Sequence, residues 1–151
     1  MKIIVVGCGK IGSTIIESLV EEHHEVLAID KNFDVVNKMI ETYDVMGICG
    51  NGASYDKLME ADVERADLFV AVTESDELNM LSCFIARKLG VRHAVARVRN
   101  SEYNTESLQY IKRNLSLSMT INPELLAAEA IYNVLRLPTA SAVETFTARR
   151  F

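Results

Sequence analysis

Apolar residues along this 151-residue chain switch repeatedly between two periods. Short runs rich in Val and Ile alternate with longer stretches in which apolar positions recur every three or four residues. That alternation predicts βα units around a parallel sheet, an α/β fold. Strands are predicted at Lys2–Val6, Glu25–Ile29, Asp44–Cys49, Leu68–Val72, His93–Val98 and Leu117–Ile121. Most have the composition of strands covered by helices on both faces. Helices are predicted at Ile11–Glu22, Phe33–Glu41, Tyr55–Ala61, Asp76–Leu89, Glu102–Asn114 and Pro123–Leu137. In the first of these, Ile11, Ile15, Ile16, Leu19 and Val20 form one stripe in helical phase.

Local signals punctuate the pattern. Thr73-Glu74-Ser75-Asp76 resembles a capping box, with a hydroxyl and a carboxylate three residues apart. Gly90 is placed to stop the helix before it, and Asn122-Pro123 reads as a cap followed by proline at the first helical position. From Pro138 the periodicity breaks. The expected organisation is one domain over 1–137, with 138–151 a linker or the start of a further C-terminal subdomain, so that the chain resembles a fragment or a single expressed domain.

The last predicted helix is unusual. Between Leu125 and Leu137 the only polar residues are Glu129, Asn133 and Arg136, a narrow stripe on an otherwise apolar cylinder. One packed face cannot use that much hydrophobic surface, so part of this helix is expected to meet another copy of the chain or another domain.

Composition narrows the possibilities. With 49% apolar and 25% charged residues the chain is ordinary for a globular domain. Its net charge is −5 and no stretch gathers Lys and Arg, so nucleic acid is not an expected ligand. The longest apolar runs, such as 68–72, are strand-sized, which predicts no direct membrane insertion, and the N-terminus lacks the features of a signal peptide. Three cysteines, Cys8, Cys49 and Cys83, without metal-ligand spacing fit a cytoplasmic setting. Cys8 and Cys49 are expected to be small buried thiols rather than redox centres. Neither His23-His24 nor His93 has a ligand partner at metal spacing, so no metal site is assigned.

Chemistry concentrates where the first strand meets the first helix. Gly7-Cys8-Gly9-Lys10-Ile11-Gly12 has the glycine spacing of a dinucleotide-binding turn: Gly7 for the tight turn, Gly9 for close backbone approach to phosphate, Gly12 for helix–strand packing. The helix N-terminus adds N–H donors and the positive end of its dipole. Asp30 closes the second strand, where a carboxylate can accept both hydroxyls of an adenosine ribose and repel a 2′-phosphate. This favours NAD(H), with Lys31 next door softening the preference; the alternative is that Asp30 merely caps the following helix. The expected fold is therefore a Rossmann-like, doubly wound, six-stranded parallel sheet with helices on both faces.

Three further groups complete the candidate site. Gly50-Asn51-Gly52-Ala53-Ser54 follows the third strand and would flank the adenine, its small residues leaving room for a flat ring; alternatively it is a glycine-rich turn with Ser54 as a helix cap. Arg97 and Arg99, two apart at the end of the fifth strand, either face the crevice and a ligand's phosphates or lie at a solvent-facing edge. Thr73 and Glu74 follow the fourth strand near where the ligand would continue beyond its diphosphate. No catalytic residue is assigned.

These residues are similar to a known family, the N-terminal nucleotide-binding domain of Trk potassium-uptake regulatory subunits, shared with the RCK domains that regulate potassium channels. The resemblance rests on 1–12, Asp30, 50–54, 66–73 with Glu77, Asn79 and Met80, 96–99 and 122–126, and extends over about 1–137. Asn51 departs from it, since many related domains carry Asp there. The resemblance implies a cytoplasmic protein, peripheral to the inner face of the membrane, that binds NAD(H) or ATP/ADP at one site and gates a membrane potassium transporter subunit without chemistry. Two other classes make further demands on the sequence. An NAD-dependent dehydrogenase would need a substrate pocket and a positioned acid or base beyond the cofactor fold, and a redox-sensing DNA-binding repressor would need a basic recognition element.

Overall fold

Lys2–Val6 forms β1 at the centre of the sheet, and its alternate side chains supply both halves of the core. Ile4 and Val6 point into one layer with Phe69, Leu58, Ala86 and Val91; Ile3 and Val5 point into the other with Ile16, Val26 and Met39. This is the two-faced burial expected of a strand between helical layers. The structure, a computed structural model, describes residues 1–103 and 105–136.

In chain order the elements are β1, α1 (Lys10–Glu21), β2 (Glu25–Asp30), α2 (Phe33–Tyr43), β3 (Met46–Cys49), α3 (Tyr55–Glu60), a 3₁₀ turn at Val63–Arg65, β4 (Leu68–Ala71), α4 (Asp76–Lys88), β5 (His93–Arg97), α5 (Thr105–Asn114), β6 (Met119–Ile121) and α6 (Pro123–Arg136). The sheet order is β3-β2-β1-β4-β5-β6, parallel throughout. Val6 pairs with Ile29 on one side and Ala71 on the other, so the order reverses at the C-terminal end of β1. Loops leave the sheet there in opposite directions and open a crevice between β1 and β4.

Where boundaries differ from the expected ones, backbone conformation explains the difference. Asp44 is not in β3: with φ +53° it is the left-handed C-cap of α2 and donates its N–H to Ile40. Leu117 does not begin β6, because Ser116 at φ +55° and the Leu117 N–H on the Lys112 carbonyl close α5. Glu102 lies in a turn built on Asn100. The N-cap of α4 is Ser75, whose Oγ accepts from Leu78 N at 3.2 Å; the box expected at Thr73–Asp76 is not formed, since the Thr73 hydroxyl turns toward Asn79. Cys49 is exposed rather than buried, because β3 is the edge strand. Gly90 ends α4 as expected, at φ +113°.

The chain divides into a unit over Met1–Ile121, which holds the sheet, and a second unit that starts at Asn122. In the second, Asn122 Oδ1 accepts from Leu125 N at 3.1 Å, the expected cap of α6. Leu126, Ile131, Val134 and Leu135 on that helix are exposed. Leu137 and the stretch 138–151 lie outside the described residues. No helix among the described residues is long and apolar enough to cross a membrane.

Candidate functional site

The three loop glycines are required for different physical reasons. Gly7 sits at φ +90°, and a Cβ there would stand 2.7 Å from the Thr73 nitrogen, so both its conformation and its packing demand glycine. A Cβ on Gly12 would lie 1.8 Å from the Gly7 carbonyl oxygen, which brings α1 down onto the end of β1. Gly9 has an ordinary φ of −70°, and a Cβ on it would meet nothing within 4 Å. No packed neighbour excludes a side chain at that position, and the space it would fill is open to whatever approaches the loop.

Gly9 is also the N-cap of α1, with no side-chain cap and no acidic residue in the first turn. The first intrahelical bond is from Ser13 N to Gly9 O, so the N–H groups of exposed Lys10, half-buried Ile11 and buried Gly12 stand ahead of it at the positive end of the helix.

Asp30 ties the second strand to this loop. Its Oδ2 accepts from Cys8 N at 2.8 Å and its Oδ1 from Asn32 N at 2.9 Å. Each carboxylate oxygen retains a lone pair. Asp30 does not cap α2, because Asn32 does, accepting from Asp34 N at 3.0 Å. Lys31 is exposed. The Cys8 thiol is buried against the Ile29 carbonyl, and burial, with Asp30 adding repulsion, pushes its pKa up to about 12; it is a protonated packing group.

In the loop after β3, a Cβ on Gly52 would lie 2.2 Å from Val6 Cγ1, so this buried glycine lets the loop pack against β1. Asn51 Oδ1 accepts from Ala53 N at 2.8 Å, and Ser54 N donates to Asn51 O at 3.0 Å. Ser54 occupies the N-cap position of α3 with no side-chain cap bond. A Cβ on Gly50 would meet only the flexible stem of Lys57. Asn51 is exposed, and Ala53 and Ser54 are half-buried.

The turn after β4 is held by the expected Thr73, Glu74, Arg97 and Arg99 together with Asn79 and Asp76, to which the sequence pattern assigns no role in the site. Thr73 directs its N–H and its hydroxyl to Asn79 Oδ1, at 2.8 and 2.6 Å. Arg97 is buried, with a guanidinium N–H directed to Thr73 O at 3.4 Å, whereas Arg99 is exposed and donates to Glu74 O at 2.9 Å. Both arginines thus reach the same turn. Asp76, 6% exposed, accepts from the backbone of Arg99 and Asn100 through Oδ2 at 3.0 and 2.7 Å. A cavity of about 310 Å³ is lined by Glu74, Asp76, Glu77, Arg99 and Asn100. Tyr103 donates to Glu77 Oε1 at 2.8 Å, which lowers the Glu77 pKa and raises that of Tyr103. A signal for Asn79 was present: it stands on the α4 stripe with Met80, Cys83 and Ala86, a polar residue in an apolar phase. Among the described residues no group of His, Cys, Asp and Glu is arranged to hold a metal ion.

Comparison with known proteins places these features in context. A model of the TrkA-N domain matches residues 3–123. A Trk system potassium uptake protein TrkA homolog of Archaeoglobus fulgidus is 36% identical over 148 residues, covering 97% of this chain and 33% of that protein. The Trk system potassium uptake protein TrkA of Vibrio alginolyticus is 34% identical over 152 residues, with coverage of 99% and 33%. The chain spans about a third of the length of these curated relatives. Among solved structures, the TrkA-N domain of the inner membrane protein ybaL from Escherichia coli superposes with a TM-score of 0.77 at 19% identity, over 89% of this chain and 96% of that one. The Kef CTD of Shewanella denitrificans in its AMP-bound form gives 0.73 at 17%, over 93% and 84%. The GsuK channel bound to NAD gives 0.66 at 19%, over 80% and 21%. At these identities the structural neighbours show the fold.

Proposed function

The chain belongs to the TrkA-N family, and from that premise we propose that it is a regulatory domain that binds NAD(H) or an adenine nucleotide and acts in potassium uptake. The observation that carries this reading is Gly9: a glycine required by neither backbone nor packing, at an uncapped helix N-terminus, beside a carboxylate with acceptor capacity to spare. The diphosphate would lie on the first turn of α1, and the ribose diol would donate to Asp30. Structural neighbours solved with NAD and with AMP support the ligand class. Because Asp30 and the glycine turn engage only the adenosine diphosphate portion, ATP or ADP fits the same place.

The domain works by binding rather than by chemistry in this reading. The thiol nearest the phosphate loop is Cys8, whose high pKa keeps it protonated and unreactive. The partner is a membrane potassium transporter subunit, as the names of the curated relatives support, and the protein is cytoplasmic, lying at the inner face of the membrane through that partner. We assign the exposed apolar surface of α6 to self-association with a second copy of the chain, since apolar residues on all sides of a helix need more than one packed face.

A melting-shift series with NADH, NAD, AMP, ADP and ATP tests the reading. A ligand at 100 times its Kd stabilises by about 2.7 kcal/mol, an easily measured shift. The expected result is stabilisation by each compound carrying adenosine phosphate, with no sustained change in reduced nicotinamide absorbance when hydroxy acids, alcohols or aldehydes are added. Absence of any shift overturns the reading.

A further inference from the structure

Asn79 is completely buried on α4, yet its amide reaches the site at two strands. Oδ1 accepts from Thr73 N at 2.8 Å and from Thr73 Oγ1 at 2.6 Å, while Nδ2 donates to Thr73 O at 3.0 Å and to Arg97 O at 2.9 Å. Those four bonds use the full capacity of a primary amide, two donors and two acceptor lone pairs. Asparagine is a poor helix former, and burying its amide costs free energy unless it is fully satisfied. What this residue supplies in return is geometric: one planar group fixes Thr73, in the β4–α4 turn, relative to Arg97, the last residue of β5.

We propose that Asn79 is a positioning residue for the half of the ligand site that lies beyond the adenosine diphosphate. The proposal rests on the nucleotide-binding reading above. Thr73 connects the two halves of the crevice, because its nitrogen would stand 2.7 Å from a Cβ on Gly7 and the two backbones are therefore in contact across the switch point. Its carbonyl also accepts from the Arg97 guanidinium, and the next carbonyl, that of Glu74, from Arg99. Asn79 thereby sets the wall against which anything attached to the diphosphate must lie, without touching it. The adenosine half is built separately, by the glycine turn and Asp30, and has no bond to Asn79.

The test compares NADH, which spans both halves, with AMP, which reaches only the first, by calorimetry on the full chain. Asn79→Ala is expected to weaken NADH about tenfold relative to AMP, the loss of roughly one net hydrogen bond. Thr73→Val, which removes one hydroxyl and keeps the backbone bonds, is expected to shift the same ratio about threefold and decides the matter if Asn79→Ala does not fold. A general loss of stability would weaken both ligands in parallel. An unchanged NADH-to-AMP ratio in the variants, with both ligands bound by the parent chain, overturns the role of Asn79 and leaves the binding reading standing. Failure of the parent chain to bind either ligand overturns both.

Discussion

The carboxylate of Asp30 accepts a hydrogen bond from the backbone N–H of Cys8 at 2.8 Å, so the residue we propose for a ribose also braces the turn we propose for phosphate. Two elements that are 22 residues apart in sequence become one rigid edge of the crevice. A ligand engaging both meets a preorganised pair, which reduces the ordering cost of binding.

Replacing Asp30 by Ala therefore removes a ribose acceptor and loosens the glycine turn. NADH should bind more weakly by about 1.5–3 kcal/mol, the range for a hydrogen bond to a charged group. Asp30→Asn, which keeps an acceptor for Cys8 N, should fall between the two. Calorimetry showing parent-like affinity in the Ala variant would remove Asp30 from the site.

The loop glycines should separate by what they affect. Gly9→Ala adds a methyl to open space, and its cost in stability should not exceed about 1 kcal/mol, the difference between glycine and alanine as an N-cap. It should nonetheless weaken NADH about tenfold, because the methyl occupies the approach to the α1 N-terminus. Gly12→Ala places a methyl on a backbone carbonyl and should destabilise the fold by about 1–3 kcal/mol. Denaturant midpoints and binding isotherms on the two variants check both halves. A Gly9→Ala variant that loses stability and keeps affinity would reverse the assignment.

Much of this arrangement is legible in the sequence, and the exceptions share a cause. Periodicity located the six described strands chiefly because β1, β2, β4 and β5 carry runs of buried apolar residues, and the glycine turn with Asp30 stood out by spacing. Asp44 and Leu117 were misplaced because a left-handed backbone at Asp44 or Ser116 leaves no mark on hydrophobic period. Gly52 and Cys49 depend on which strand is a neighbour and which is an edge, and those facts exist only once the sheet is assembled. Asn79 was visible as a polar residue in an apolar phase, but its four bonds join parts of the chain that meet only in the fold.

The thiols give a pH-dependent signature. Cys8 and Cys83 are raised from 9.0 to about 12, chiefly by burial. Above pH 9 the unfolded chain releases these protons and the folded chain holds them, so stability is intact below pH 9 and is lost as pH rises toward 12. Each thiol contributes a slope of up to about 1.4 kcal/mol per pH unit in that window. The Cys8→Ala variant should show a shallower decline than the parent in denaturation series between pH 9 and 11. In the native protein at neutral pH, iodoacetamide should label exposed Cys49 and spare the other two. Fast labelling of Cys8 would mean that the phosphate turn opens.

Discrimination among nucleotides has to arise beyond the groups they share. A ligand shifts a conformational equilibrium only by its difference in affinity for the two states, and contacts to Asp30 and the glycine turn are common to every adenosine diphosphate moiety. What differs is a third phosphate or a nicotinamide ribose, which would lie toward the turn after β4. Of the two arginines there, Arg99 is exposed with its guanidinium on Glu74 O, whereas Arg97 is buried with its guanidinium directed to Thr73 O. Arg99, being exposed, can turn from the Glu74 carbonyl toward a phosphate, which is the stronger partner for a guanidinium. Arg99→Ala should therefore weaken ATP by about 1.5–3 kcal/mol and NADH by less. Arg97→Ala should act mainly on the position of the turn, with a smaller preference between the two ligands. Equal losses for ATP and NADH would place the discriminating contact on another part of the crevice.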